Sequence, residues 1–172
     1  MRAKNYRTPK GRAYTRTQFV KGFPPPKINK FTMGDTKAKF EYEAQLIALE
    51  EAQVRHNALE AARVATNREL MEKLQNNYLM RVLPYPHTIL RENKMIFGAH
   101  ADRLQDGMRR SFGKPIGTAA HIKTNQPIIT VNVNEIGIET AKRALKLGSA
   151  KLPIPCRIII QKTQTTEVET VE

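Results

Sequence analysis

The chain has 172 residues, 40% of them hydrophobic, enough for one aliphatic core of modest size; aromatic residues make up only 6% and Trp is absent. With 29 Lys and Arg against 16 Asp and Glu, the net charge is +13 and the isoelectric point is near 10.1, a field that concentrates phosphate around the molecule. One cysteine excludes a disulfide framework, the apolar runs fall far short of the roughly 20 residues of a membrane span, and no apolar signal-peptide core is visible, so a soluble intracellular protein without a membrane partner is expected.

Residues 1 to 39 hold 11 basic residues and one acid, Asp35. Pro9, Gly11, Gly22 and Pro24 to Pro26 interrupt any periodicity, which predicts an extended basic arm rather than a packed element. Tyr6, Tyr14, Phe19, Phe23 and Phe31 interleave with the cations, so rings can stack on bases while Arg2, Lys4, Arg7, Arg12, Arg16 and Lys21 hold phosphates. The remainder divides into a single domain at 40–162 and a short acidic tail at 163–172, where three acids stand without a base.

Phe40 to Leu49 alternates apolar and polar residues as a half-buried strand does. From about Glu51 to Leu74 there is no Gly or Pro, and Val54, Ala58, Ala61 and Ala65 recur at helical spacing; this predicts one long helix with a small-residue face. Arg55, His56, Arg63 and Asn67 share a polar edge of that helix, and Asn76 and Asn77 suit its end. Tyr78 to Leu83, Thr88 to Leu90, Ile116 to Lys123, Ile128 to Val133 and Arg157 to Gln161 read as strands, with turn signals at Pro84 to Pro86 and Asn125 to Pro127. Glu135 to about Gly148 reads as a second helix with Ile138, Ala141 and Leu145 on one face and Gly148 as its stop. Cys156 precedes the apolar run Ile158 to Ile160 and is expected as a buried strand thiol, not a nucleophile. This order predicts an α+β fold, a mostly antiparallel sheet with two helices on one side.

Between two of those strands lies Gly98 to Pro115, GAHADRLQDGMRRSFGKP, in which Gly98, Gly107 and Gly113 break regular structure and Arg103, Arg109, Arg110 and Lys114 outnumber Asp102 and Asp106. A polar loop of this length in a small domain is usually functional or disordered, and Arg is the side chain best shaped for phosphate or base edges. The segment is therefore expected to contact a polyanion.

RHNALEAAR (Arg55 to Arg63), LRENKM (Leu90 to Met95), ADRLQDGMRRSFGKPIGT (Ala101 to Thr118) and KLPIPCRI (Lys151 to Ile158) resemble the large-subunit ribosomal protein family called L-ten-e in archaea, the QM protein in animals and L-sixteen in bacteria. The likeness runs from the amino terminus to about residue 160, and the absence of a long carboxyl-terminal extension is of the archaeal type. It implies an α/β-hammerhead fold that binds large-subunit ribosomal RNA near the peptidyl-transferase region, among other large-subunit proteins in the cytoplasm, and that supports translation and subunit assembly. It also implies that the loop at 98–115 faces transfer RNA in the A and P sites, with Arg103, Gln105, Arg109, Arg110 and Lys114 as contacts. Arg55, His56, Asn57 and Arg63 match its helix motif, and Arg91 and Lys94 lie in its second block; these are further candidates for ribosomal RNA. The pattern is broken at His100, where a glycine is expected, and at Pro24 to Pro26, which replace a more Gly- and Ser-like turn.

Enzymatic readings fail on spacing. Gly107 to Lys114 differs from a P-loop in the separation of its glycines, and Pro115 stands in place of the magnesium-binding hydroxyl. His56, His87, His100 and His121 lack metal-ligand spacing, and a His100–Asp102 acid–base couple would need a substrate-shaped pocket that the sequence does not show. No cofactor, metal or small-molecule substrate is expected. The alternative is a free architectural nucleic-acid-binding protein outside the ribosome, which accounts for the charge but not for the loop.

Overall fold

A computed structural model describes residues 19–98 and 107–163. Its strands and helices run β1 (Thr32–Gly34), β2 (Tyr42–Ala48), β3 (Ala52–Arg55), α1 (His56–Leu74), β4 (Leu79–Val82), β5 (Thr88–Glu92), β6 (Lys114–Ile122), β7 (Pro127–Val133), α2 (Ile138–Ser149) and β8 (Cys156–Lys162). The fold is α+β with antiparallel pairing throughout these strands. They divide between two sheets, one ordered β1-β4-β7-β2-β8 and the other β3-β6-β5.

In the larger sheet, register sets which residues share a face. Met80, Val131, Ala44 and Ile160 stand opposite one another across β4, β7, β2 and β8, and Val82, Ile129, Leu46 and Ile158 form the next row. Opposed residues point to the same side, so these rows make one apolar face, and α2 packs on it through Ala141, Ala144 and Leu145. The other face carries Arg81, Thr130 and Gln45 in one row and Asn132, Glu43 and Gln161 in another. Ala52, Val54, Ala120 and Ile122 of the smaller sheet extend the same core, as do Leu59, Ala62 and Leu70 of α1. A fully buried Leu or Ile contributes about 1.5–3 kcal/mol, so Leu46, Leu59, Leu70, Ile122, Ile129 and Leu145 anchor both sheets to both helices.

The long helix expected from Glu51 starts five residues later. Ala52 to Arg55 pair with β6 instead, Val54 opposite Ala120 and Ala52 opposite Ile122. Nothing in this Ala-rich stretch forbids a helix, but as a strand it buries Ala52, Gln53 and Val54 against a partner, and tertiary pairing overrides a weak propensity. The buried face of α1 is also not the Ala58, Ala61, Ala65 stripe. His56, Leu59, Ala62, Thr66 and Leu70 face inward, while Ala61 and Val64 face solvent.

Gly148, expected as a stop, lies inside α2, which continues to Ser149. A Cβ there would collide with Thr66 Oγ1, so the glycine lets α1 and α2 cross closely. Part of the segment expected as an arm joins the domain: Ile28 is buried in the core, Thr32–Gly34 is the edge strand β1, and the Phe31 ring lies 5.7 Å from that of Tyr85. Cys156 is half-buried at the start of β8, its thiol donating to the Ile154 carbonyl oxygen at 3.4 Å; burial pushes its pKa up and keeps it protonated. No described helix is long and apolar enough to cross a membrane.

Candidate nucleic-acid interface

The charged loop is the connection of a hairpin. β5 and β6 pair with Leu90 opposite Gly117, Arg91 opposite Pro115 and Glu92 opposite Lys114, so the two ends of 93–113 emerge side by side from the end of two paired strands. A bulge between Leu90 and Arg91 shifts the register at that exit. Gly113 closes it at φ +76°, where a Cβ would stand 2.7 Å from the Glu92 carbonyl carbon, so both the left-handed backbone and the close approach require glycine. The Asn93 side chain donates to the Gly107 carbonyl oxygen at 3.4 Å, and Gly107–Arg110 forms a 3-10 turn on the returning limb.

Several of the cations named from sequence stand on this hairpin. Arg91 and Lys94 are exposed on the outgoing side, and Arg109 and Lys114 on the returning side. Lys114 and Pro115, expected within the loop, are already in β6. Arg103 and Gln105 lie outside the described residues, as does His100, and Arg110 is described only for its backbone. Within 91–98 and 107–116 there are five basic residues and one acid, Glu92.

The helix candidates are placed differently. Arg55 is the half-buried last residue of β3, and Asn57 is exposed in the first turn of α1. His56 is buried, and its Nδ1 accepts a hydrogen bond from the backbone N–H of Lys27 at 3.1 Å. Burial lowers its pKa, and the charges of Lys27 and Arg55 push it further down, so the ring is neutral and carries its proton on Nε2. Arg63 forks onto Glu60, Nη2 to Oε1 at 2.6 Å and Nε to Oε2 at 2.9 Å, while Nη1 donates to the Met33 sulfur at 3.0 Å. The hydrogen bonds to Glu60 raise the Arg63 pKa against the effect of burial. Asn67 accepts from the buried Tyr78 hydroxyl at 2.7 Å. The polar edge read from sequence is thus engaged within the fold at His56, Arg63 and Asn67, whereas Asn57 of the helix motif is exposed.

In the arm, Lys21 is exposed, whereas Arg2, Lys4, Arg7, Arg12 and Arg16 lie outside the described residues. Sequence reasoning did not single out Phe97 and Phe112, 90% and 77% exposed on the two limbs of the hairpin, nor Lys27 beside His56. Sparse aromatic content beside dense charge was the signal available for the rings. Among the described residues no group of three or more His, Cys, Asp or Glu could hold a metal ion.

A basic α+β domain that gathers cations on a hairpin loop is of the class that works through a charged surface. Comparison supplies the particular family: the profile described as ribosomal protein L16p/L10e matches residues 9–159, and the chain belongs to that family of structural, non-enzymatic ribosomal proteins. It is similar to the large ribosomal subunit protein uL16 of Methanococcus maripaludis strain C7, 47% identical over 163 residues and 94% of each chain. The protein of the same name from Sulfolobus acidocaldarius is 51% identical over 158 residues, 90% of each chain, and that of Staphylothermus marinus is 48% identical over 152 residues, 88% of this chain and 87% of its own.

Proposed function

We propose that this chain is a structural constituent of the large ribosomal subunit, located on cytoplasmic ribosomes, and that it binds large-subunit ribosomal RNA near the peptidyl-transferase region. The loop at 98–115 is directed toward transfer RNA in the A and P sites, and the protein supports translation and subunit assembly among other large-subunit proteins. The observation that carries this reading is the hairpin: a charged connection whose two ends are fixed by strand register and by Gly113, with Arg91, Lys94, Arg109 and Lys114 exposed along its limbs.

The mechanism is positional and electrostatic. Phosphate contacts from Arg2, Lys4, Arg7, Arg12, Arg16 and Lys21 supply affinity without sequence information. Arg55, Arg91 and Lys94 add contacts from the domain, while His56 and Arg63 act through what they hold in place, the Lys27 backbone and the α1 surface. Arg103, Gln105, Arg109, Arg110 and Lys114 then meet the transfer-RNA backbone. Sedimentation of tagged protein with large subunits from its own cells tests the ribosomal reading. Co-sedimentation that survives a moderate salt wash and disappears in high salt is expected; failure to travel with large subunits at any salt concentration favours the free architectural protein.

A further inference from the structure

Only 6% of this chain is aromatic, yet the two most exposed rings among the described residues stand on the same hairpin as its cationic loop. Phe97 is 90% exposed and Phe112 is 77% exposed; Met108, at 72%, accompanies them. Single exposed apolar residues are ordinary, but several within one short span mark a surface that is covered by something. The Arg91 guanidinium carbon lies 3.5 Å from the centroid of the Phe112 ring. One face of the ring is therefore capped by a cation, and its exposure leaves the other face to solvent.

The charge around this ring decides between occupants. Protein interfaces are depleted of charge at their centres, whereas here Arg91 lies against the Phe112 ring, Arg109 and Lys114 are exposed on the same limb as that ring, and within 91–98 and 107–116 Glu92 is the one acid. A π-face for stacking with cations for the flanking phosphates is the combination that grips an unpaired nucleobase. Bases inside an RNA duplex cannot reach such a surface, so the ligand is a base in a loop, a bulge or a single strand.

We infer that Phe112, backed by Arg91 and accompanied by Phe97, is a stacking platform for an unpaired RNA base, with Arg109 and Lys114 taking the adjoining phosphates. The inference rests on the reading that this chain sits on RNA, and it adds a site that the loop cations do not define. Arg91 has two roles there, holding one face of the ring and adding to the local positive field.

The test uses the full chain and an RNA hairpin carrying 2-aminopurine in its unpaired loop, with a fully paired RNA as control. The wild-type protein is expected to quench the probe in the loop. Phe112→Ala should abolish the quench and weaken binding roughly 5- to 150-fold, the loss of one stacked base, while leaving the slope of log affinity against log salt unchanged. Phe112→Trp should restore both. Phe112→Leu, which keeps apolar area without a π-face, should not. The inference is overturned if Phe112→Leu binds as the wild type does, or if the wild type binds RNA with a normal salt slope but without quenching. An absence of salt-dependent RNA binding by the wild type would instead remove the RNA reading itself. Competition by protein-free large-subunit RNA and by deacylated transfer RNA, in separate arms, identifies the source of the base: the competitor whose advantage disappears in Phe112→Ala supplies it.

Discussion

His56 shows how one buried side chain organises the region beneath the proposed interface. It opens α1, accepts the Lys27 backbone N–H, and lies so close to Gly117 of β6 that a Cβ added there would be 3.0 Å from Nε2. Protonating Nδ1 would replace that acceptor by a donor and place a charge beside Lys27 and Arg55. The folded pKa is accordingly below the ordinary 6.5, so the native state holds fewer protons than the unfolded chain at acidic pH. This contribution to stability is fully present above pH 6.5 and is lost as pH falls through the lowered folded value. Denaturant unfolding at pH 7.5 and 5.5 should show a loss on acidification that is smaller in His56→Gln, whose amide oxygen can still accept from Lys27. An equal loss in both proteins would mean that other groups set the acid sensitivity. From sequence, His56 was indistinguishable from Arg55 or Arg63 on a polar edge, because periodicity reports which residues share an arc and not which of them the rest of the fold covers.

At the scale of elements, legibility followed the strength of the pattern. β2, β7 and β8 alternate or run apolar between clear turn signals, and α2 carries Ala141, Ala144 and Leu145 on one arc, so sequence located them to within a few residues. α1 was harder because its buried face contains His56 and Thr66 while its exposed face contains Val64 and Met71, which erases the contrast that would identify the core side. β3 was hidden in a run without Gly or Pro, and β1 is only Thr32–Gly34. The α1–α2 crossing yields its own prediction. Replacing an exposed helical glycine by Ala gains about 1 kcal/mol of propensity, but at Gly148 the new methyl must displace the buried Thr66 hydroxyl, and overpacking of this kind costs about 1–3 kcal/mol. Gly148→Ala should therefore lower the thermal midpoint, and adding Thr66→Ala should recover most of the loss, since Thr66 Oγ1 has no hydrogen-bond partner among the described residues to sacrifice. A stabilised single variant would show that the helices are not held at this distance by the glycine.

The hairpin is an element whose function should separate from its stability. Arg109 is exposed, and the connection at 93–113 contributes no residue to the buried core among those described. Replacing Arg109 and Arg110 together by Ala should leave the melting temperature nearly unchanged and permit incorporation into large subunits, yet weaken transfer-RNA binding by those subunits. Filter binding of labelled transfer RNA to purified mutant subunits measures this. Unaltered retention would remove the two arginines from the proposed contact, and unfolding of the double variant would assign them to packing.

For the whole molecule, the governing quantity is where the charge lies relative to the fold. Residues 1 to 39 carry +10 of the net +13, and within 19 to 39 Ile28 is buried in the core and β1 pairs with β4, so this part of the basic segment is joined to the domain. Lys27 is fixed through His56, which places a positive charge where the extended segment meets α1. If these residues grip phosphates, every phosphate left unneutralised takes roughly 0.7 to 0.9 off the slope of log affinity against log salt. Deleting residues 2 to 21 takes away Arg2, Lys4, Arg7, Lys10, Arg12, Arg16 and Lys21 but spares Ile28, β1 and the Lys27–His56 bond, so the domain should keep its thermal midpoint. Binding to large-subunit RNA, followed across a monovalent-salt titration, should be weaker at every concentration and should fall less steeply as salt is raised. A shallower slope with an intact domain identifies the arm as a phosphate clamp; an unchanged slope would identify it as a solvated tail and transfer the salt-dependent affinity to the cations of the domain.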